Sequence, residues 1–446
     1  MSDRKWTIMI YMAGDNNLDA EGIIDLQEIK RIGSTDEVAI LAQFDRAQAN
    51  MRTHRYFLQD RTKPNHSRIS DDIVFTLPNE ANTGSPAELT NFIRWGIDQF
   101  EAEHYIVIIW GHGAGAADED IWYSDNRTLR RTIKRHGVFR PNLRDLAAHP
   151  QFVDVVTKDP RNVVAVRPAL GDLFTDPSVV ELVGNMDIPG VMTAIAPDDT
   201  SEDFLDNVEL KTALLNVGTR IDILGMDACL MSMAEVCYQV RDSVDFMVAS
   251  EAEEDVDGWP YGAFLERLVD NPDMSPRQLA RTIVDEFDGM YGEVEATAAT
   301  LAACDLRHPK PGELAVRVDR LAAELIDKHD LIQDQILLAR SIAWENEIAD
   351  SADLVDFCRL LRRKVTNADV KSACTELIKF VKQEEFVFRK ASIGRDVRFT
   401  EGLGIYFPMS KVSIPYGRLD MVQSGVTQWR DFITRFVQDV AAEDHT

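Results

Sequence analysis

Short, unbroken runs of apolar residues recur along the first 300 positions and alternate with segments of helical periodicity. Runs of this kind are typical of strands in a sheet that is covered on both faces. The predicted strands are Trp6–Gly14, Val38–Asp45, His54–Gln59, Tyr105–Trp110, Ile221–Met226 and Asp245–Ser250. Their spacing leaves room for crossover helices, so the strands are expected to run mostly parallel.

Two helices are predicted between these strands, at Leu18–Ile32 and from Ser85 to about Phe100. Ser85 is a typical N-cap residue, and a proline follows it at the first helical position. Glu88, three residues after Ser85, predicts a capping box. The alternation of strands and helices predicts an α/β fold with a mostly parallel sheet flanked by helices.

The alternation stops between Gly113 and about Thr200, where Pro, Gly and Asp punctuate the chain without a strong period. A segment of this length without predicted elements is usually an insertion that carries function or mobility. It contains a basic patch, which consists of Arg127, Arg130, Arg131, Lys134, Arg135, Arg140 and Arg144. We therefore expect residues 114–200 to be an insertion in an N-terminal domain of residues 1–300.

The rest of the chain has a different pattern. From about Glu313 to Lys382 the apolar positions follow a helical period, and a strand-like Gly402–Pro408 and a terminal helix near Trp429–Ala442 come after them. The pattern predicts a mainly helical C-terminal region at residues 301–446.

Charge excludes two classes of partner. The 446 residues include 48 Lys and Arg against 75 Asp and Glu, which gives a net charge of −27. Nucleic acid and anionic membrane surfaces would repel such a chain, so neither is an expected partner. A basic substrate or protein partner is the natural complement.

The chain shows no targeting signal that we recognise. Its apolar run Trp6–Ala13 is short and is followed by Gly-Asp-Asn-Asn rather than by a small-residue cleavage site. We therefore expect a cytoplasmic protein, or a secreted one if a leader was removed. Five cysteines, at positions 229, 237, 304, 358 and 374, form neither a CxxC pair nor a zinc pattern, so a reducing compartment is expected.

Residues that follow the apolar strands are the first candidates for chemistry, because ligands bind at the carboxyl ends of parallel strands. His112 and Cys229 follow two of these strands. A cysteine thiolate is a strong nucleophile, and an imidazole can accept its proton and later protonate a leaving amine. Glycine at 111 and 113 leaves backbone amides accessible for an oxyanion hole. Asp227, two residues before Cys229, would select a cationic Arg or Lys side chain.

Each of these residues also has a purely structural interpretation. A lone histidine after a strand is often structural, and a lone cysteine is often a small buried hydrophobe. Asp227 could cap the strand end instead of binding substrate. The acidic run Glu251–Asp257 is interpreted as partly a solvated loop and partly a substrate rim. Position alone does not pair His112 with Cys229, since they lie far apart in sequence.

Five segments in a fixed order strengthen the catalytic interpretation. They are YMAGDNNLD, IIWGHGAG, IDILGMDACLMSMAEV, ASEAEEDVDGWPY and GLGIYFP, which together extend from residue 11 to residue 408. In this combination the chain resembles the clostripain family of cysteine peptidases, peptidase family C11. The WGHG and DACLM blocks are the specific ones, and the others support the alignment.

The resemblance implies a caspase-like (caspase-hemoglobinase) fold, shared with gingipains and legumain, and a C-terminal region particular to the family. It maps the general base onto His112 and the nucleophile onto Cys229. It also maps the acidic floor of the S1 pocket onto Asp227, and the oxyanion hole onto the amides of Gly113 and Cys229. The long interval between His112 and Cys229 departs from the family pattern and leaves the form of any self-processing open.

The predicted function is that of a cysteine endopeptidase cleaving protein or peptide substrates after Arg or Lys, latent until it is processed or activated. The basic patch is expected either to act as an internal substrate or plug, or to dock on the acidic surface without being cut. The alternative is a catalytically silent or partner-activated caspase-like regulatory module. Some family members need calcium, but the acidic runs at 118–120 and 253–255 lack EF-hand spacing, so no metal ligand is assigned.

Overall fold

The computed structural model describes residues 4–47, 51–116, 195–201, 203–292, 298–346, 350–409, 411–413 and 415–443. Its strands β1–β14 are Trp6–Gly14, Val38–Arg46, His54–Phe57, Ile73–Thr76, His104–Trp110, Ile195–Asp198, Asp203–Leu205, Ile221–Asp227, Val244–Ala249, Ala299–Asp305, Glu345–Asn346, Ser351–Asp353, Val387–Ile393 and Gly404–Tyr406. Most of the predicted insertion, including the whole basic patch, lies outside the described residues.

Nine of these strands form one sheet, in the order β13-β10-β9-β8-β5-β1-β2-β3-β4. The five central strands, from β9 to β2, pair in parallel, and the strands at both edges add in antiparallel orientation. Side chains along β1 alternate between two cores: Met9 and Tyr11 enter one, while Ile8 and Ile10 enter the other. The unbroken apolar character of this strand therefore reflects burial on both faces, as predicted.

Helices cover both faces of the sheet. The described helices α1–α11 are Asp19–Ile32, Pro86–Gln99, Asn207–Val217, Ala234–Val240, Tyr261–Asp270, Pro276–Gly292, Lys310–Asp327, His329–Ile342, Leu354–Lys364, Ala368–Lys382 and Trp429–Glu443. Helices α1, α5 and α6 bury their apolar residues in one core, and α2, α3 and α4 bury theirs in the other. The predicted α/β fold with a mostly parallel central sheet is confirmed.

The C-terminal part contributes to both the helical region and the main sheet. Helices α7–α11 pack into the same core as α2, and β11, β12 and β14 form a small separate sheet. Strands β10 and β13 extend the main sheet beyond β9. Because these strands lie close to or beyond position 300, the main sheet draws on both predicted parts, and the two-domain division stays a prediction.

The predicted capping box of α2 is wrong. Ser85 is the N-cap residue, but its side chain forms no capping hydrogen bond. The Glu88 carboxylate instead accepts hydrogen bonds from Gln43 and Arg55 on the neighbouring strands. A charge-assisted contact with Arg55 competes with the local cap and prevails here, because it pairs a half-buried charge.

Two sequence expectations about the chain as a whole can be compared with the structure. None of the described helices is both long and apolar enough to span a bilayer. All five cysteines fall in the described part of the chain, where they are buried and form no disulfide.

Candidate active site

The two predicted catalytic residues follow adjacent strands of the sheet. β5 and β8 run parallel, and Trp110 at the end of β5 pairs with Asp227 at the end of β8. The Gly111 amide continues this contact by donating to the Asp227 carbonyl oxygen at 3.1 Å. His112 and Cys229 each come two residues after these paired positions, so both are delivered to the same edge of the sheet.

Glycine at 113 allows the turn that carries His112 to pack against the turn that carries Cys229. A Cβ atom at Gly113 would lie 2.4 Å from the carbonyl oxygen of Cys229, which is closer than real Cβ contacts. Only a residue without a side chain fits this approach. The WGHG motif therefore has a steric role: it places the backbone beside His112 in direct contact with the Cys229 backbone.

The imidazole of His112 is oriented by Asn17, a residue that the sequence analysis did not single out. Its Nε2 atom lies 2.8 Å from Oδ1 of Asn17, in the turn after β1. Because the amide oxygen can only accept, this contact assigns the proton to Nε2 and leaves the lone pair on Nδ1. The contact leaves Nδ1 of this half-buried ring as the nitrogen that can accept a proton.

The Cys229 thiol lies in a turn that is hydrogen-bonded to the loop after β9. Its Sγ atom accepts the Glu254 amide at 3.2 Å, and the next residue, Leu230, donates its amide to the Ala252 carbonyl oxygen at 3.1 Å. Leu230 has φ of +69°, in the left-handed region that non-glycine residues rarely adopt. Strained turns of this kind are common at nucleophiles.

Asp227 lies in a buried pocket beside the nucleophile and is 5% exposed. Its Oδ2 atom accepts the Tyr261 hydroxyl at 2.7 Å, and the Trp259 amide also bonds to the carboxylate. A Cβ atom at Gly258 would lie 3.4 Å from both carboxylate oxygens, so the glycine keeps that side of the carboxylate uncrowded. The predicted role as a strand-end cap does not describe this arrangement, because the donors come from the loop and helix after β9.

A second carboxyl group accompanies Asp227. Burial raises the pKa of Asp227 to about 6, against the effect of hydrogen bonds from Tyr261 and Glu254. Burial, followed by the charges of Asp227 and Cys229, raises the pKa of Glu254 well above its ordinary range. Burial and mutual repulsion therefore favour a single negative charge on the pair over two. Such a pair suits a cationic side chain.

Another buried carboxyl lies close to this pair. Burial, and after it the charge of Asp227, raises the pKa of Asp25 to about 8, while the Trp110 indole donates to Asp25 at 2.7 Å. The site thus contains three carboxyl groups whose ionisation is mutually unfavourable. A cation that entered the pocket would relieve this repulsion.

The acidic run Glu251–Asp257 divides differently from the sequence interpretation. Asp255 and Asp257 are exposed, as a solvated rim requires, whereas Glu251 is 2% exposed. The groups that most affect Glu251 after burial are Asp353 and Lys390, from the C-terminal part of the chain. Glu251 therefore faces away from the substrate rim.

Comparison with known proteins identifies the family of this chain. The family model described as "Clostripain family" (Peptidase_C11) matches residues 10–133 and 185–440. The chain belongs to the clostripain family. This confirms the resemblance found in the five sequence segments.

Relatives of this clostripain-family chain are distant in sequence. Clostripain from Hathewaya histolytica is 24% identical over 285 residues, which cover 60% of this chain and 42% of that protein. The chain therefore spans less than half of the curated relative it matches.

Two solved structures share its fold. A secreted C11 cysteine protease from Bacteroides thetaiotaomicron, bound to an irreversible peptide inhibitor, is 16% identical with a TM-score of 0.58 over 96% of this chain and 99% of that one. An inactive zymogen C11 protease from Parabacteroides distasonis is 18% identical with a TM-score of 0.60 over 95% and 99%.

Within this clostripain-family site, the structure brings His112, Gly113, Cys229 and Asp227 together at one edge of the sheet. Their roles as base, oxyanion-hole donors, nucleophile and S1 floor stay predictions. Sequence reasoning missed Asn17 and Tyr261, although both lie inside the segments that carry the family resemblance. The signal that could have found them is their place directly after β1 and after the Gly-Trp-Pro turn.

Proposed function

We propose that this chain is a cysteine endopeptidase that cleaves protein or peptide substrates after Arg or Lys. The observation that carries the proposal is the pairing of Trp110 with Asp227, since it brings the turns of His112 and Cys229 to one strand edge. Membership of the clostripain family supports the same chemistry. The name of the relative from Hathewaya histolytica supports it further.

The residues at this edge account for each proton in the reaction. Nδ1 of His112 accepts the Cys229 proton, and the thiolate attacks the scissile carbonyl carbon to give a tetrahedral oxyanion. The amides of Gly113 and Cys229 are the proposed donors to that oxyanion. Collapse breaks the C–N bond, and His112 returns its proton to the leaving amine. Water then attacks the thioester, His112 takes its proton, and the carboxylic acid leaves as the thiol re-forms.

Specificity is assigned to the negative charge that Asp227 shares with Glu254. A guanidinium or ammonium group in the pocket would gain a charge-assisted contact in a site withdrawn from water. A neutral side chain would leave the carboxylate buried and unpaired, which costs binding energy. The pocket is therefore expected to reject neutral P1 residues.

Latency is assigned to the segment that follows His112. Gly113 forms a bridge with Ile195, so the chain leaves the site and returns to it at the same place. The basic patch at 127–144 belongs to the segment whose two ends meet at this bridge, and an internal substrate has a high effective concentration for a site on the same chain. The inactive zymogen state named for the Parabacteroides distasonis relative is consistent with latency.

The test is cleavage of a peptide library, read by mass spectrometry, by the parent chain and by Cys229→Ala. The parent is expected to cut after Arg and Lys, and Cys229→Ala to cut nowhere. Cys237→Ala is the matched control, because it removes another buried thiol from helix α4, which follows the same strand.

Two results would overturn the proposal. Cleavage by Cys229→Ala at the parental rate would move the nucleophile elsewhere. If the parent neither cleaves the library nor reacts at Cys229 with an Arg-directed thiol-reactive inhibitor, even after limited proteolysis with trypsin, the silent-module alternative would replace the enzyme.

A further inference from the structure

A basic pocket lies between the end of α1 and the loop that joins β3 to β4. Its volume is about 510 Å³, and four of its eight lining residues are basic while none is acidic. Lys30 and Arg31 come from the last turn of α1, and Arg61 and Arg68 come from the loop. Acidic residues outnumber basic ones by 75 to 48 in the whole chain, so this local excess of positive charge runs against the composition.

The pocket lies at the edge of the sheet opposite the candidate active site. Helix α1 ends at Ile32, shortly before Val38, which pairs with Trp6 at the start of β1. His112 and Cys229 follow the other ends of the parallel strands. The nine residues of β1, at about 3.3 Å each, put about 30 Å between the two edges. A ligand of this pocket would therefore not contact the catalytic residues, and its binding does not depend on the proposed peptidase activity.

One buried carboxylate holds the loop against the helix. Asp72 is 2% exposed and forms a buried ion pair with Lys30. The same carboxylate accepts the Gln59 amide at 3.0 Å and lies 2.6 Å from Nδ1 of His66. These contacts fix both ends of the loop on α1 before any ligand arrives, so a ligand would pay little for ordering the pocket.

Asp72 neutralises Lys30, but the charges of the three arginines are not neutralised in the same way. Within the described ranges of the chain, no carboxylate forms an ion pair with Arg31, Arg61 or Arg68, and all three residues are exposed. The negative end of the α1 dipole favours a basic side chain in the last turn, which accounts for Arg31. It does not account for Arg61 and Arg68, because they lie outside the helix.

We propose that this pocket binds the phosphate group of a small molecule, either free phosphate or a phosphate monoester. Guanidinium groups present paired N–H donors that match phosphate oxygens, and Ser67 and Ser70 add hydroxyl donors to the same pocket. The volume falls within the range of small-molecule sites, which is roughly 300–1,000 Å³. A large polyanion such as nucleic acid would be repelled by the rest of a chain with a net charge of −27, so a small anion is the better fit.

The test is calorimetric titration of inorganic phosphate, and separately of glucose 6-phosphate, into the full chain carrying Cys229→Ala, which prevents self-cleavage during the measurement. One ligand per chain is expected, with a rise in Tm on saturation and weaker binding as salt is added. Arg61→Gln and Arg68→Gln should each weaken binding by about tenfold or more, because each removes charge-assisted hydrogen bonds. Both arginines are exposed, so neither variant should impair folding.

Arg52→Gln is the matched control, because Arg52 is an exposed arginine just before β3 that does not line the pocket, and it should leave binding unchanged. The tighter of the two ligands distinguishes free phosphate from a monoester. Absence of binding of both ligands would overturn the proposal, and so would parental affinity in Arg61→Gln and Arg68→Gln. An equal loss in Arg52→Gln would show attraction to charge in general rather than a site. Tighter binding of a polyglutamate peptide would overturn the choice of a small ligand.

Discussion

Replacing Asp227 with Asn is expected to lower activity and to raise stability at the same time. The substitution removes the charge but keeps the shape, and the amide oxygen can still accept from Tyr261. Removing one partner of a buried charge pair costs about 2–5 kcal/mol. For Arg and Lys substrates this predicts a loss in kcat/KM of about 30-fold to several thousand-fold.

The gain in stability follows from the pKa of the same carboxyl. In the unfolded chain the Asp227 carboxyl titrates near 3.8, and in the folded chain near 6. Between these values the folded state holds more protons than the unfolded state, so stability falls as the pH rises. At pH 7 the ionised carboxylate destabilises the fold by about 3 kcal/mol, and Asn should recover a large part of this.

The assay measures kcat/KM on peptides with Arg or Gln at P1, alkylation of Cys229 by iodoacetamide, and Tm at pH 7 and pH 4. Asp227→Asn should lose only the Arg preference, alkylate at the parental rate, and gain Tm at pH 7 but not at pH 4. Glu254→Gln is the matched control, because it makes the same carboxyl-to-amide change beside Asp227, at a group whose pKa burial raises well above its ordinary range. Parental cleavage of Arg peptides by Asp227→Asn would refute the assignment of the pocket charge.

Three further results are expected. Asn17→Ala should lower kcat by about tenfold with little change in KM, because it removes one hydrogen bond that orients His112. Equal changes in both constants would contradict a positioning role. Gly113→Ala should destabilise the fold by about 2 kcal/mol in urea unfolding and abolish activity, because its Cβ would clash with the Cys229 carbonyl oxygen. A stable, active variant would contradict this packing. Incubation of the parent should yield new N-termini after Arg or Lys between 127 and 144, absent in Cys229→Ala; a chain that stays whole while digesting substrates shows that cutting here is not required.

The central strands could be predicted from the sequence because they are buried on both faces. β1 has the bounds that its apolar run predicts, and β8 ends one residue later than predicted. The outer strands β4, β10 and β13 could not be predicted in the same way. β10 and β13 join through antiparallel pairing between segments far apart in sequence, and no local period encodes that choice.

The order of the strands in the sheet decides which residues meet at the site. No single segment of the sequence predicts that order. Asn17 reaches His112 only because β1 lies next to β5, where Met12 pairs with Trp110. Glu254 meets Asp227 through a loop without periodicity. The failed capping box has the same origin, since Arg55 on β3 attracts the Glu88 side chain. Local rules predict what a segment does alone, and tertiary partners then compete with them.

The hydrogen bonds that Asp227 accepts affect how a cleaved peptide leaves the pocket. Asp227 accepts hydrogen bonds from the Tyr261 hydroxyl and the Trp259 amide, which stabilise its buried charge when no cation is present. A cleaved peptide must leave with its new C-terminal Arg or Lys, and tighter ground-state binding would slow that step without speeding the chemistry. A pocket with one shared proton and a single negative charge meets this requirement, whereas two ionised carboxylates would retain the product.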